Sequence, residues 1–348
     1  MSGALFHIYA GPGSPYSHKM RAVFRYRRIP HTWLVPQGGF DGGGLLGSDK
    51  DGSSPLLAAG KGVVPVIRYP DGEYKADSTP IMYELERLYQ ARSIIPPNAG
   101  IAFLAHLIED MADEYLPMPM FYFRWKDDAE WCGRRQMIGW NGALGDEVLE
   151  TMAARFLERQ QNQLGARAAL PRETVMENYV QILDGLEAQL KKSFFLFGTR
   201  PSFAEFGLYG QLSQYVVDPT VSNIMKERAI RTFEWEHFLE DLSGIEGAWW
   251  EPEDCLTAEL IGVISAMSPM YFAMMQMLQQ TTGMDDLDKT VNGMKYRVKC
   301  YLALKQELAS LSEADRGLIR PVLEASGCWQ PLQFVEGERD KVVAIVPA

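Results

Sequence analysis

The feature that most constrains the fold of this chain is a change of pattern near Asn98. Short strand-like and helix-like segments alternate before it. After it, apolar residues recur at helical spacing, as in Phe103-Leu104, Leu107-Ile108 and Met111. This change predicts a small α/β unit followed by a much longer helical part. With 348 residues, the chain is long enough for two or three domains.

The first part is predicted to contain four strands and two helices in the order βαβ, a loop, and ββα. The strands cover 5–9, 31–35, 63–69 and 74–76, and the helices cover 16–27 and 81–89, the second one capped by Ser78 or Thr79. Asp71-Gly72 is a hairpin signal between the last two strands. The segment 36–62 is predicted to be a long loop with at most a weak helix at 55–59, because its many glycines raise the entropic cost of ordering it.

The second part is predicted to be mostly helical. Amphipathic helices are expected at 145–164, 172–191, 202–217 and 228–242, and three more, at 257–280, 287–311 and 312–324, precede an extended tail. The helix at 257–280 is rich in methionine. We interpret it as a buried core helix or a partner interface in preference to a pliable ligand surface.

Charge and composition narrow the possible functions. The net charge of −11 argues against a nucleic-acid or anionic-membrane partner, because phosphate binding needs clustered Lys and Arg. The five histidines form no recognisable ligand cluster, so no metal site is expected. Neither a signal peptide nor a membrane span is expected from the apolar runs, which favours a cytoplasmic protein. The cysteines are predicted to be buried free thiols in a reducing compartment: Cys132, Cys255, Cys300 and Cys328.

The stretch from Ala10 to Arg21 joins the first predicted strand to the first predicted helix. Its turn is rich in Gly, Pro and Ser, and the helix begins next to Ser14. Free backbone N–H groups and the positive end of the helix dipole stabilise an anion, including a thiolate, at such a place. The residues alone therefore indicate a candidate thiol site at Ser14.

The N-terminal third resembles the thioredoxin-like domain of the glutathione S-transferase superfamily. Ser14-Pro15-Tyr16-Ser17 stands where glutaredoxins have Cys-Pro-Tyr-Cys, and its first serine is similar to that of zeta and theta transferases. The resemblance implies that dithiol redox chemistry is lost and that the Ser14 hydroxyl donates to glutathione sulfur, which lowers the thiol pKa. A helix-capping serine without chemistry is the alternative.

Two further motifs carry the same resemblance. Val64-Pro65 resembles the family's cis-proline, which presents the Val64 backbone to the cysteinyl group of glutathione. Asp77-Ser78 resembles the acidic residue and serine that hold the γ-glutamyl group. The ligands of the glycine carboxylate are not assigned by any motif, and Lys50 and Lys61 are guesses.

The stretch from Phe197 to Tyr209 resembles the core helix of the transferases' all-helical domain. Ser202 and Glu205 form a capping box there, with Glu where Asp is usual, and we assign it a structural role. The resemblance implies a thioredoxin-like α/β glutathione-binding domain over 1–95 and an all-α domain over 98–252. It leaves a C-terminal helical extension of unknown role over 253–348.

The function implied by the resemblance is that of a homodimeric enzyme that transfers glutathione, its co-substrate, to an apolar electrophilic small molecule. Tyr9 and Tyr16 are alternative thiol donors, although Tyr9 is more typical of a strand core. Tyr115, Phe121 and Trp125 are expected either to wall the electrophile pocket or to pack in the core. The alternative functions are a non-catalytic scaffold that binds a partner, and a glutathione-dependent isomerase.

Two charged runs have two interpretations each. The first run either attracts the anionic tripeptide or forms a solvated basic face: His18, Lys19 and Arg21. The second either reaches the ligand of a neighbouring subunit or, as we favour, forms a solvated helix face: Glu109, Asp110, Asp113 and Glu114.

Overall fold

The computed structural model describes residues 5–34, 54–142, 144–164, 170–291 and 293–345. Most of the predicted glycine-rich loop, with Lys50, lies outside these ranges. The weak helix predicted at its end is present as Pro55–Ala58.

The N-terminal unit is a four-stranded mixed sheet with three helices. Its strands are β1 (Phe6–Tyr9), β2 (His31–Leu34), β3 (Val66–Arg68) and β4 (Tyr74–Ala76), and its helices are α1 (Pro15–Tyr26), α2 (Pro55–Ala58) and α3 (Ser78–Leu88). The spatial order is β2-β1-β3-β4, with β1 parallel to β2 and antiparallel to β3. β3 begins three residues later than predicted, because Pro65 has no N–H to give to a ladder.

Helices make up almost all of the rest. After α4 (Ala99–Asp110) and a π-helical turn (Met111–Tyr115) come α5 (Pro117–Lys126), α6 (Ala129–Asn141), α7 (Asp146–Leu164), α8 (Arg172–Lys192), α9 (Phe203–Tyr215), α10 (Pro219–Arg228) and α11 (Ile230–Leu239). The predicted capping box of Ser202 and Glu205 starts α9. The fold is therefore the predicted one, a thioredoxin-like α/β domain followed by an all-α part.

The last hundred residues form α12 (Ala258–Thr282), α13 (Met294–Ser310) and α14 (Glu313–Ala325), with short 3₁₀ turns at Pro252–Cys255, Leu287–Lys289 and Arg339–Lys341. α13 starts later than predicted, after Gly293 at a φ of 86°. α12 is long and apolar enough to cross a membrane by length and composition. It packs on α8 and α13, and Met267, Met274 and Met275 are buried, which confirms the prediction of a core helix.

Close helix packing brings distant charged residues together. A Cβ on Gly207 of α9 would lie 2.8 Å from Glu109 Cα in α4, and one on Gly210 would lie 2.8 Å from Lys19 Cβ in α1. α9 therefore approaches both helices at glycines, and the space between α1 and α4 is narrow.

The four cysteines are free and buried, as predicted.

Candidate functional site

A cavity of about 160 Å³ lies where the start of α3 meets the end of α4 and the first turns of α13. Four residues predicted to bind glutathione line it: Val64, Pro65, Asp77 and Ser78. The peptide bond between Val64 and Pro65 is cis, as the resemblance implied. Tyr296 and Arg297 of α13 also line this cavity. The last helices of the chain therefore form part of its wall.

Asp77 is the N-cap residue of α3 and has a φ of 91°, in the left-handed region. Its carboxylate makes no capping hydrogen bond to the N–H groups of its own helix. Its Oδ2 accepts from Lys61 Nζ at 2.7 Å and from the hydroxyl of Tyr296. Burial, followed by the nearby Cys300 and Asp77, raises the pKa of Tyr296 well above its usual range. Tyr296 therefore keeps its proton and acts as a donor to Asp77.

Ser78 belongs to a buried ionic network. Its hydroxyl accepts from Lys19 Nζ at 3.3 Å and lies 3.4 Å from Asp113 Oδ2. Lys19 is fully buried and also donates to Glu109 and, at 2.6 Å, to Asp113. Burial alone would lower the pKa of Lys19, but the two carboxylates outweigh it and raise the pKa. Both interpretations of Lys19 were wrong: it is neither solvated nor free to attract a ligand.

The acidic run is also not a solvated helix face. Glu109, Asp110 and Asp113 are buried, and Glu114 is half-buried against Arg297 Nε at 3.2 Å. Burial raises the pKa of Asp110, Asp113 and Glu114, because removal from water disfavours the charged form. Glu109 and Asp110 end α4, and Asp113 and Glu114 lie in the π-helical turn that follows it. The spacing of these acids in the sequence does not reveal that other helices cover them.

Ser14 caps α1: its Oγ accepts from the backbone N–H of Ser17 at 3.3 Å. It is 7% exposed and is not among the residues that line the cavity. Helix α6 covers the turn before it, since a Cβ on Gly13 would lie 2.0 Å from Gln136 Oε1 and one on Gly11 would lie 2.5 Å from the Trp140 ring. The capping role is thus present, and the thiol role stays a prediction.

The two alternative donors differ in position. Tyr9 is 5% exposed and packs beside Tyr74 on the sheet, which agrees with the core interpretation. Tyr16 lines the cavity and donates its hydroxyl to the Asp113 carbonyl at 2.8 Å. Burial, together with Glu114 and Asp113, raises its pKa well above the usual range. Tyr16 therefore lines the cavity as a neutral phenol, and its hydroxyl proton is already bonded to the Asp113 carbonyl.

The other basic residues of α1 lie on a partly covered face. His18 Nε2 contacts the Pro12 carbonyl at 2.9 Å, and burial together with the Arg21 charge lowers the pKa of His18 to about 4. Arg21 lies over the Trp33 ring at 4.5 Å and pairs with Glu240 at 3.0 Å. The prediction of a solvated basic face is wrong for His18, which is neutral and mostly enclosed, and the Arg21 side chain is only 15% exposed.

Comparison with known families agrees with this arrangement. The family model for the glutathione S-transferase N-terminal domain matches residues 13–88, and the model for the C-terminal domain of the same family matches residues 157–248. The chain belongs to the glutathione S-transferase superfamily. The matched ranges include the cis-proline, Asp77-Ser78 and the capping box, whereas α12, α13 and α14 lie beyond them.

Several solved structures are similar to this superfamily member. One from Methylobacillus flagellatus with glutathione bound shares 16% identity over 68% of this chain and 96% of that chain, with a TM-score of 0.41. The β-etherase LigF from Sphingobium shares 17% identity over 67% and 93%, with a TM-score of 0.44. A Tau class enzyme from mango, Mangifera indica, shares 13% identity over 67% and 87%, with a TM-score of 0.43. Comparison with curated proteins found no match.

The aromatic residues predicted for an electrophile pocket lie elsewhere in this transferase-like chain. Tyr115 is buried and donates to Asn178, and Trp125 is buried edge-on against Phe156. Phe121 is half-buried and packs against Trp125. None of the three predicted residues lines the cavity at Asp77. Their packing favours the core interpretation, and their role in binding an electrophile stays a prediction.

Sequence reasoning missed the residues from α13. Tyr296 contacts Asp77 across 219 positions of the chain, and Arg297 contacts Glu114 across 183. No motif marks either residue, because nothing local distinguishes them from the polar face of an ordinary helix. Within the described ranges, no group of three or more His, Cys, Asp or Glu side chains is arranged to hold a metal ion.

Proposed function

We propose that the protein binds glutathione with the γ-glutamyl end in the cavity at Asp77 and the sulfur at Ser14, and that it transfers glutathione, through its sulfur, to an apolar electrophile. The observation that carries this proposal is the meeting of Val64, Pro65, Asp77 and Ser78 in one cavity of a superfamily member. These residues come from two segments of the chain. Val64 lies two residues before the start of β3, where an extended peptide can pair with its backbone.

The chemistry at Ser14 follows from its hydrogen bond. The hydroxyl has one proton and two lone pairs, and the contact with Ser17 uses a lone pair. The Ser14 proton therefore remains to bond the sulfur of glutathione beside the N-terminus of α1. That stabilises the thiolate after the thiol proton is lost to water. The sulfur lone pair then forms a bond to the electrophilic carbon while a carbon–halogen bond, an epoxide C–O bond or a conjugated C=C π bond breaks. The electron pair of the broken bond leaves with the halide or forms an alkoxide or enolate that water protonates.

A titration of the full chain with glutathione tests the binding step. The wild type is expected to bind, and Asp77→Asn is expected to bind about tenfold more weakly because the carboxylate that faces the ligand ammonium loses its charge. Asp288→Asn, at an exposed acid in a 3₁₀ turn, is the matched control and is expected to bind as the wild type does. Absence of glutathione binding by the wild type would refute the proposal.

Turnover with a panel of aryl halides, epoxides and unsaturated carbonyls tests the transfer step. Ser14→Ala is expected to lower kcat about 100-fold and to raise the pKa of bound glutathione, followed by the ultraviolet absorbance of its thiolate. Ser310→Ala, at an exposed hydroxyl that bonds its own helix, is the control. If Ser14→Ala keeps full turnover, the role of Ser14 is refuted, and Tyr16 is the next donor to test, although its hydroxyl would have to leave the Asp113 carbonyl to reach the sulfur. Isomerisation without consumption of glutathione would favour the isomerase.

A non-catalytic scaffold is the second candidate, and one observation favours it. α6 covers the turn at Gly11 and Gly13, and protein side chains already engage Asp77 and Ser78. Both ends of the proposed site are thus partly occupied by the chain itself. Under this reading, the wild type neither binds glutathione nor consumes it in the presence of any electrophile.

The wider organisation belongs to the same proposal. We infer a glutathione-binding domain over 1–95, an all-α domain over 98–252 and an extension over 253–348, in a cytoplasmic homodimer. The family resemblance supports the first two segments and the dimer, and light scattering of the purified chain measures the oligomeric state. The negative charge supports a small-molecule partner over nucleic acid or an anionic membrane.

A further inference from the structure

We propose that α13 completes the glutathione site: Arg297 binds the α-carboxylate of the γ-glutamyl group, and Tyr296 positions Asp77 to accept its ammonium. This inference rests on the proposed function and adds two residues to it from a helix beyond the family-matched ranges. Both side chains line the cavity that also contains Asp77 and Ser78.

The charges around the cavity indicate why an additional cation is needed. Among the described residues that line it, Arg297 is the one with a cationic side chain. Five carboxyl groups share the lining: Asp77, Glu109, Asp110, Asp113 and Glu114. A ligand carboxylate finds no cationic partner among these acids, and each acid that is ionised repels it. The γ-glutamyl group carries an ammonium, which the acids favour, and a carboxylate, which needs Arg297.

Lys19 lies close to the cavity, but it does not supply the cation for the ligand carboxylate. Its ammonium has three N–H donors, and three acceptors already engage it: Ser78 Oγ, Glu109 Oε1 and Asp113 Oδ2. The Ser78 hydroxyl is engaged in the same network, since it accepts from Lys19 and lies within reach of Asp113. A ligand carboxylate that used the Ser78 hydroxyl alone would therefore compete with a buried ion pair.

Arg297 has donors left. Its Nε donates to the Glu114 carbonyl at 2.9 Å and lies 3.2 Å from Glu114 Oε2, and its Nη1 meets the sulfur of Met294, a weak acceptor, at 3.4 Å. These contacts fix the guanidinium beside the cavity and leave the Nη2 group to bind a carboxylate. α13 itself is held to α4, because Glu307 Oε2 lies 2.6 Å from His106 Nδ1.

Tyr296 acts through Asp77. Its hydroxyl and Lys61 Nζ both donate to Oδ2 of Asp77, and this arrangement leaves Oδ1 for a ligand ammonium. Tyr296 is thus a positioning residue, whereas Arg297 touches the ligand.

Ligand analogues test the role of Arg297. The probes are glutathione and γ-aminobutyryl-cysteinylglycine, which lacks only the α-carboxylate. The wild type is expected to bind glutathione about tenfold more tightly than this analogue, and Arg297→Met is expected to bind both alike. Arg297→Lys keeps the charge and is expected to restore part of the preference. Arg320→Met, at an exposed arginine paired within α14, is the matched control.

The outcomes separate this inference from the proposed function. If the wild type does not bind glutathione, the proposed function itself fails. If the wild type binds glutathione and Arg297→Met keeps the preference for it, or weakens binding of both ligands equally, the role of Arg297 is overturned and the proposed function stands.

A second analogue tests Tyr296. Glutaryl-cysteinylglycine lacks the α-amino group, so its binding does not depend on the position of Asp77. Tyr296→Phe is expected to weaken glutathione about threefold to tenfold and to leave this analogue unchanged. Equal weakening of both ligands would mean that Tyr296 merely supports α13, and that result would overturn its positioning role.

Discussion

Both ends of the proposed glutathione site resemble the family in sequence, yet their surroundings in the fold differ. At the Ser14 end, a helix of the enlarged all-α part lies on the turn, and neutral side chains such as Gln136 and Trp140 fill the space. At the Asp77 end, charged side chains surround a cavity of about 160 Å³. A local motif therefore specifies backbone geometry, and distant helices decide whether the space beside it stays open.

The two ends also differ in what stabilises them. The turn at Ser14 rests on a helix cap, which contributes about 1 kcal/mol, and on packing of neutral side chains. The Asp77 end rests on Lys19, Glu109 and Asp113, which are buried and depend on each other. Removal of one member of a buried ion pair leaves its partner uncompensated. Substitutions at the cavity end should therefore have larger effects.

The largest effect is expected for Lys19→Met. The substitution leaves Glu109 and Asp113 without their common cation, and we expect the free energy of unfolding to fall by about 3–5 kcal/mol. Urea unfolding measures it. Lys191→Met, at an exposed lysine of α8, is the control. Adding Glu109→Gln to Lys19→Met should recover part of the loss, and a loss below about 1 kcal/mol would contradict the buried network.

Two histidines, His106 near the Asp77 end and His18 near the Ser14 end, give the free energy of unfolding opposite dependences on pH. Burial alone would lower the pKa of His106, but the carboxylates of Glu307, Glu109 and Asp110 raise it to about 9. Since this pKa exceeds the unfolded value of about 6.5, the stabilisation is complete below pH 6.5 and is lost as pH rises toward 9. His18 has a pKa of about 4, so stability is lost as pH falls from 6.5 to 4.

The measurement is the difference in unfolding free energy between the wild type and each variant as a function of pH. For His106→Gln, the wild-type advantage should shrink by about 2 kcal/mol between pH 6.5 and 9. For His18→Gln, it should shrink by a similar amount, about 2 kcal/mol, between pH 6.5 and 4. Differences that do not change with pH would mean that both histidines titrate alike in the folded and unfolded chain.

Much of the fold, and less of the site, is readable from the sequence. Strand alternation, helical periodicity and the capping box at Ser202 depend on neighbours in the chain, and these predictions were confirmed. The burial of Asp113 was not readable, because Lys19 reaches it from 94 positions away. Charged residues on a helix have the same spacing whether water or another helix faces them. Only the packing of α1, α9 and α13 decides between these cases.

Gly13→Ala tests how tightly α6 covers the Ser14 end. The added Cβ would lie 2.0 Å from Gln136 Oε1, at the far end of a flexible side chain that can move aside. We therefore expect a loss of about 1 kcal/mol in unfolding free energy. Gln136→Ala in the same chain should remove the clash, so the double variant should be more stable than the sum of the single effects predicts. Strict additivity would mean that α6 does not press on the turn.

The smallest effect is expected for Lys61→Met. Comparison with Lys19→Met separates the effect of burying an ion pair from the effect of the charge itself. Lys61 and Lys19 each pair with a carboxylate near the cavity, at 2.7 Å and 2.6 Å, but the Lys61 side chain is 27% exposed and that of Lys19 is fully buried. Water screens the exposed pair, so the unfolding free energy should change by less than about 1 kcal/mol. A loss as large as that of Lys19→Met would mean that contact with Asp77, and not burial, sets the stability of this end.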